Sequence, residues 1–551
     1  MSNAPPGEPS PDPAPIVTAT VVPRTESPAP RSETRPLRRT HPQPPMRWTE
    51  VLAAVTLVVL ADVTIYRGEG FAGFSALLAV GAGLLWLGAY RPRLSRDFWL
   101  LGSLLMLLAV RILWQGSWLA VVVGFVLLLS FAMALTGQRP YVLSVVTFLA
   151  QVIRGGFDGL LFYAARLAGH RVGKPLPWWL SIVFPAGALV LFAAIFTAAN
   201  PDVLTLVSDT AQQWAIEVQN WLAHFSYGEL LFWVFVLWLS AGLLRPTPDS
   251  SALAQSSDAA RPHGASDPAP LYSPFRNTLL AVIGLFAAYL VFEFSTLWFR
   301  QFPPGFYYAG YAHQGAAWLT LALALATAIL SLIFSGRMLR DPRLATLRKL
   351  AWIWSLLNFL LAIAVYHRLL IYIGFNGLTR MRIIGLLGIT AVVIGFLLVL
   401  WKINRDRSFV WLIRRQMWTV VMMVYLYAVL PIDSLVVRYN VARIMAGDPK
   451  PAVQLVAHPI SAEGVLLMDP LLTCSDPIIR EGAQAMLAAA DRESQATISR
   501  QRQSGWTAYQ MADDLLAERL QTQRAAWAKY TDRGKQAAAI SRFREYVYQW
   551  Y

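Results

Sequence analysis

The chain has 551 residues, of which 56% are hydrophobic and only 14% charged, with 47 basic against 32 acidic residues and a net charge of +15. Soluble globular proteins carry about a quarter charged residues. The low charged fraction excludes an ordinary soluble enzyme and, outside local segments, a disordered protein. The composition is that of an all-α, polytopic membrane helix bundle.

The position of the charge says more than its sum. Residues 1–48 hold six basic and four acidic residues, and residues 433–551 hold 14 and 13. The excess lies between, in the segments joining apolar stretches, where positive charge encodes orientation. A nucleic-acid surface would need a basic patch on a folded domain, and the only soluble-looking region is nearly neutral, so no nucleic-acid partner is expected.

The N-terminal segment 1–46 is proline-rich, with 13 prolines in its first 45 residues. Such a segment buries too little apolar surface to offset the entropy of ordering and is expected to be a disordered cytoplasmic tail. It lacks the basic start followed directly by an apolar core that marks a secretory signal.

Eleven apolar runs near the ~20 residues needed to cross a bilayer follow. They lie at 49–66, 71–90, 98–114, 118–137, 178–198, 228–245, 276–298, 315–336, 349–372, 382–402 and 415–432. Trp48, Tyr66, Tyr90, Trp118, Trp178, Trp179, Trp298 and Trp401 mark their ends, where aromatics favour the membrane interface. The N-terminal tail and alternate loops carry 27 basic residues against four in the opposite loops. This places the N-terminus in the cytoplasm and, after eleven crossings, the C-terminus outside it.

Residues 141–168 interrupt the pattern. Their apolar residues are broken by Arg154, Gly155, Gly156, Asp158 and Arg166. A crossing there would move three basic loops to the wrong face. The segment is expected to form one or two amphipathic helices on the cytoplasmic surface. A second interfacial helix is expected at 203–225, where Trp214, Val218, Trp221, Leu222 and Phe225 share a face. Residues 246–273, rich in Ser, Ala, Pro and Asp, are a flexible cytoplasmic linker. The bundle thus divides into helices one to six in 47–245 and seven to eleven in 274–432, with no internal repeat evident between them.

Residues 433–551 form a small extracytoplasmic helical domain. Asp433 is expected to cap a helix to Met445, with Gly447 as its stop. Asp476-Pro477 places an N-cap and an N1 proline before 478–491. Trp506, Tyr509, Leu516, Leu520 and Trp527 recur at helical spacing in 495–530.

Motifs of catalysis are scarce. The single cysteine, Cys474, has no partner for a disulfide or a cysteine-based metal site. The seven histidines are scattered, no two within one helical turn, and no phosphate-binding loop is present. No cofactor or metal is expected.

The stretch from Tyr366 to Arg382, YHRLLIYIGFNGLTRMR, resembles a hallmark of a bacterial membrane family catalogued as domain of unknown function 4173, with 4153 as a close relative. The matching positions are Arg368, Tyr372, Gly377, Leu378, Thr379 and Arg382. Tyr308–Gly315 is similar to the segment ahead of a helix in that family, although Gln314 stands where a basic residue is usual. Asp433–Arg443 resembles the stretch leaving the last helix, with Tyr439, Asn440 and Arg443 matching. The likeness covers roughly 50–450. It implies a multi-pass protein of a bacterial cytoplasmic (inner) membrane and carries no assigned activity.

Charged residues within spans are costly and mark function by default. Asp62, Arg111, Glu293, His367 and Arg368 all fall in the outer third of their helices, and they are candidates for one buried polar network. Asn358, Leu361, Val365, Arg368 and Tyr372 form one helical face. The arginines could instead snorkel to the interface, a route the short carboxylates of Asp62 and Glu293 lack. Gly81, Gly83, Gly385, Gly388 and Gly395 are read as packing positions.

The reading that follows is a non-enzymatic membrane protein with an envelope scaffold, sensor or accessory role. The lipid bilayer is one partner, and protein partners would act through the N-terminal tail or the C-terminal domain. Alternatives are a transporter of a small or lipid-like substrate, and a membrane-embedded transferase on a lipid-linked substrate. Against the last, the first outer loop is short and holds Glu69 alone.

Overall fold

The computed structural model describes residues 45–167, 227–247, 271–295, 308–334, 341–405 and 407–550. The N-terminal tail, the run at 178–198, the expected helix at 203–225 and most of the 246–273 linker lie outside them. Among the described residues the chain is helical throughout, as the composition requires.

Twelve helices build the membrane part and its exit: α1 (Trp48–Ala61), α2 (Phe71–Gly88), α3 (Arg96–Trp114), α4 (Trp118–Leu135), α5 (Val142–Leu167), α6 (Tyr227–Leu244), α7 (Tyr272–Glu293), α8 (Tyr308–Ile333), α9 (Leu344–Asn376), α10 (Arg380–Arg405), α11 (Phe409–Val429) and α12 (Ile432–Met445). Five helices follow, of which the third is long: α13 (Ala452–Ala457), α14 (Ala462–Val465), α15 (Pro477–Ser504), α16 (Met511–Gln523) and α17 (Arg533–Tyr548). Nine helices among the described residues are long and apolar enough to span a membrane, or ten if the bent pair α11–α12 is one span. The apolar part of α8, Trp318–Ile333, is shorter.

Local sequence explains the helix starts. Ser95, Ser117 and Ser408 accept hydrogen bonds from Phe98, Ala120 and Trp411 N–H groups, at 3.2, 3.3 and 3.1 Å. Each serine satisfies one of the donors that a helix N-terminus leaves open. The final turn of α1 widens into a π-turn over Asp62–Tyr66, where Thr64 Oγ1 donates to the Leu60 carbonyl at 2.6 Å.

The spans form two halves. In α1–α6, Leu78, Leu85, Leu101, Leu105, Leu108 and Ile112 fill a core that also takes Tyr425 and Ala428 of α11. In α7–α10, Trp354, Phe334 and Phe396 fill the end where α9 starts, and Leu323, Leu361 and Val365 the other. Helix α11 packs against α10 on one side and α3, α4 and α5 on the other, so it joins the halves. The opposite faces of these helices leave apolar side chains such as Leu100, Val110, Leu285, Val291 and Leu356 exposed, which suits a hydrocarbon solvent.

The ion pairs orient the bundle. Arg245 at the end of α6 is paired with Glu50 at the start of α1, and Glu229 at the start of α6 with Arg67 just beyond the end of α1. The end where α1 starts is here the near end, and the other the far end.

In the described part of 141–168 the chain forms one helix, α5, not two. By length and composition it could cross the membrane, where the sequence pattern leads one to expect a surface segment. Tyr141, just before α5, lies under the Arg414 guanidinium near the start of α11, at 4.5 Å. Tyr163, 22 residues on, donates to Glu50 in the first turn of α1.

The C-terminal region differs in detail from its pattern. Proline 431 bends the chain by 67° between α11 and α12. Asp433 lies inside α12 and does not cap it, because its carboxylate is held by Arg380 and the Ser461 N–H. Gly447 ends that helix with φ +93°, and Asp476 caps α15 through the N–H groups of Ile478 and Ile479. Helix α15 runs on to Ser504 and breaks at Gly505, so Trp506 and Tyr509 sit in a turn. Cys474 is a buried member of the domain core with Leu471, Trp527 and Phe543.

Glycines allow close approach at α5–α6 more than where the sequence placed it. Gly83 and Gly388 have open space where a Cβ would stand, whereas a Cβ on Gly242 would collide with the Val152 carbonyl oxygen. Gly242→Ala is therefore expected to lower thermal stability in detergent by about 1–3 kcal/mol. Gly83→Ala should be neutral or stabilising by up to about 1 kcal/mol. Equal melting temperatures for the two variants would contradict this packing.

Candidate functional site: charged joints at the far end

The five charged residues singled out in the sequence fall in three places, not one network. Asp62 accepts from the Trp233 indole at 2.8 Å and pairs with Arg67 at 3.0 Å, tying α1 to α6. Arg111, on α3, pairs with Glu463 of α14 at 3.0 Å. Arg368 and Glu293 form the third.

That third pair is the most enclosed. The guanidinium of Arg368, on α9, donates through Nε and Nη2 to the two carboxylate oxygens of Glu293, on α7, both at 2.5 Å. Their side chains are 6% and 0% exposed. The Tyr289 hydroxyl adds a hydrogen bond to Glu293 at 2.8 Å. A two-point fork matches the planar guanidinium to the carboxylate and fixes the rotation of both helices. Arg368 therefore does not snorkel. His367, half-buried, precedes it on α9.

The family-motif residues converge on the turn between α9 and α10. Gly377 has φ +97°, a left-handed conformation that favours glycine, and a Cβ there would strike the Asn440 amide. Asn440, on α12, accepts from the Leu378 N–H at 2.7 Å and donates to the Leu378 carbonyl at 2.9 Å. Its amide thus pairs with the turn as a neighbouring backbone would. Arg382 reaches back to the Gly377 carbonyl and the Asn376 side chain, with its guanidinium 3.7 Å from the centre of the Tyr372 ring. Thr379 Oγ1 accepts from the Arg382 N–H at 3.3 Å. Arg443 donates to the Ile373 and Gly374 carbonyls in the last turn of α9, at 2.9 and 2.6 Å, and lies 5.8 Å from the Tyr439 ring. From α13, Gln454 Nε2 reaches the Asn376 carbonyl at 2.9 Å. This is a clasp between the end of one span and the C-terminal domain.

Sequence reasoning missed two further ion pairs, one at this joint and one at the near end. Arg380, at the start of α10, forks onto Asp433 of α12. Burial pushes the Asp433 carboxyl up, but Arg380 and Ser461 outweigh it and hold it below the usual value. The Ser434 hydroxyl meets the Glu463 carbonyl at 3.2 Å, so the two acids stand on one small unit. Burial, helped by the nearby Asp433 carboxylate, pushes the Glu463 carboxyl up and outweighs Arg111 and the Trp114 indole, which pull it down. Arg111 comes from one half of the bundle and Arg380 from the other. The second missed pair is Arg245 with Glu50 at the near end, joined there by Tyr163. A glutamate in the first turn of an apolar run, with an arginine at the end of another, was its only sequence signal.

The loops of the first half meet the domain as well. Thr507 Oγ1 accepts from the Glu69 N–H at 3.2 Å, and the Gln510 side chain bonds Gly116 N–H and the Ile112 carbonyl.

Two outcomes test these joints. Arg368→Ala strands a buried carboxylate and is expected to lose about 3–5 kcal/mol of stability, partly restored by adding Glu293→Gln; an unchanged melting temperature would contradict the pairing. Asn440→Ala removes both hydrogen bonds to Leu378, at about 1–3 kcal/mol. Limited proteolysis should then cut 446–451 faster than in the parent protein.

The sequence matches a known family model. Residues 51–471 match the domain of unknown function DUF4153, which covers most of the chain, including the spans, the clasp and the Glu463 unit. The match is to the relative, not to family 4173, which the motif resemblance had named first. No curated protein and no solved structure matches the chain. The chain belongs to the DUF4153 family, and it is a multi-pass membrane protein of that family.

Proposed function

We propose that the protein is a non-enzymatic scaffold or accessory protein of a bacterial cytoplasmic membrane, which holds a helical domain rigidly on the extracytoplasmic face. The observation that carries this reading is the use made of the motif residues. Asn440, Arg382 and Arg443 are all engaged with backbone carbonyls, N–H groups or neighbouring side chains of the α9–α10 turn. Groups so occupied position a domain; they are not held ready for a substrate. The basic loops support a cytoplasmic near end, and α5, tied to the near end at Tyr163, and α6, starting at the far end, are compatible with it.

A transporter of a small solute is the second reading, favoured by one feature. In the middle of the second half, the buried Asn358 Oδ1 and the Trp354 indole N–H, one turn apart on α9, find no partner among the described residues. Unsatisfied polar atoms inside a span are costly.

A deletion strain separates the readings. The scaffold predicts unchanged solute uptake and no accumulated lipid-linked precursor, with envelope defects rescued by the parent gene and not by Asn440→Ala. Altered uptake, restored by the parent and lost with Asn358→Leu, would replace it with the transporter. For orientation, a reporter active only outside the cytoplasm should work fused after residue 551 and fail within 246–273. The reverse pattern would contradict the topology.

A further inference from the structure

We infer that α5 is an in-plane helix whose partner is the near leaflet itself, with its apolar face against the acyl chains and its arginines on anionic lipid headgroups. This does not rest on the scaffold reading, since it uses residues at the opposite end of the bundle.

The first argument is geometric. From Tyr141 to Tyr163 a helix extends about 33 Å, as much as the hydrocarbon core is thick. A crossing α5 would carry Tyr163 to the far end. Instead Tyr163 donates to Glu50, and the Arg245 guanidinium lies 4.2 Å from the Phe162 ring. Both Glu50 and Arg245 belong to the near end, as does Arg414 over Tyr141. Midway, Thr247 Oγ1 bonds the Gln151 carbonyl at 3.4 Å. Both ends and the middle of α5 are thus held at one level.

The second argument is the division of its surface. One face, Val145, Phe148, Val152, Gly156, Gly159 and Tyr163, is buried against the bundle. A second face, Leu143, Val146, Leu149, Ile153, Phe157 and Leu161, is apolar and exposed. A third, Thr147, Arg154 and Asp158, is polar; Arg154 and Asp158 are exposed. At 3.6 residues per turn these faces follow one another around the helix. A crossing helix would have lipid or protein on every side and no use for the third. A helix lying beside the bundle at the leaflet boundary meets protein, acyl chains and water in that order. Arg154 and the exposed Arg166, near its end, then stand at headgroup level, where each basic residue favours anionic lipid by about fivefold.

The test uses the full chain with Cys474→Ala, reconstituted in phosphatidylcholine vesicles with or without phosphatidylglycerol. Single cysteines at Val146, Ile153, Leu161 and Thr147 carry an environment-sensitive fluorophore. The inference expects brominated lipids to quench 146, 153 and 161 at one shallow depth, and iodide to quench 147. A depth that passes through the bilayer centre between 146 and 161 would overturn it. So would labels at 146, 153 and 161 shielded from both quenchers, which would mean that protein covers the face. Arg154→Gln with Arg166→Gln, at an unchanged melting temperature, should reduce phosphatidylglycerol retained on purification by at least fivefold. Unchanged retention by that folded variant would overturn the headgroup part.

Discussion

A carboxylate taken out of water must be paired, and in this protein the buried acids described within or beside the spans are paired with arginines, for the most part from a different element. Glu50 joins α1 to α6, Glu293 joins α7 to α9, Asp433 joins α12 to α10, and Glu463 joins α14 to α3. The cost of breaking such a pair exceeds its net gain over an apolar contact. The pairs therefore specify which helices are neighbours more than they add to stability. In a bilayer, where lipid is as apolar as leucine and burial drives little association, that specificity has consequences. It sets the rotation of α9 through Arg368 and the register of α6 on α1 through Glu50 and Asp62.

At the far end the same rule becomes a bridge. The two halves of the bundle are packed against common elements, α11 and the C-terminal domain. The domain meets the first half through Glu463, Thr507 and Gln510 and the second through Asp433, Asn440 and Arg443. The domain has its own core, built on Trp527, Phe543, Leu487 and Val437. The near end has no such domain among the described residues, and α5 lies there.

Much of this was legible from sequence, and the failures share a cause. Ten of the eleven apolar runs meet helices, because span length and hydropathy are local properties of the chain. The stop at Gly447 is local too. The partner of Arg368 was among the acids proposed for it, since depth in the membrane restricts the choice to few residues. Pairings between spans and the domain were not legible: Glu463 and Asp433 lie outside the apolar runs, where an acid is unremarkable until Arg111 and Arg380 are seen beside it. The grouping of Asp62, Arg111, Glu293, His367 and Arg368 by depth failed because depth says nothing of position around the bundle. Trp506 and Tyr509 were assigned to a helix by spacing, and Gly505, at φ +82°, broke it.

The central claim is that paired charges make the C-terminal domain a bridge between the two halves. It is tested most directly by the distance between spin labels at Leu119, on the far end of α4, and Met381, at the far end of α10, in a Cys474→Ala background. The account predicts a single narrow distribution that broadens when Arg111→Gln and Arg380→Gln are combined, while the helix content stays the same. A distribution that is already broad with both arginines present, or one that stays narrow without them, would contradict it.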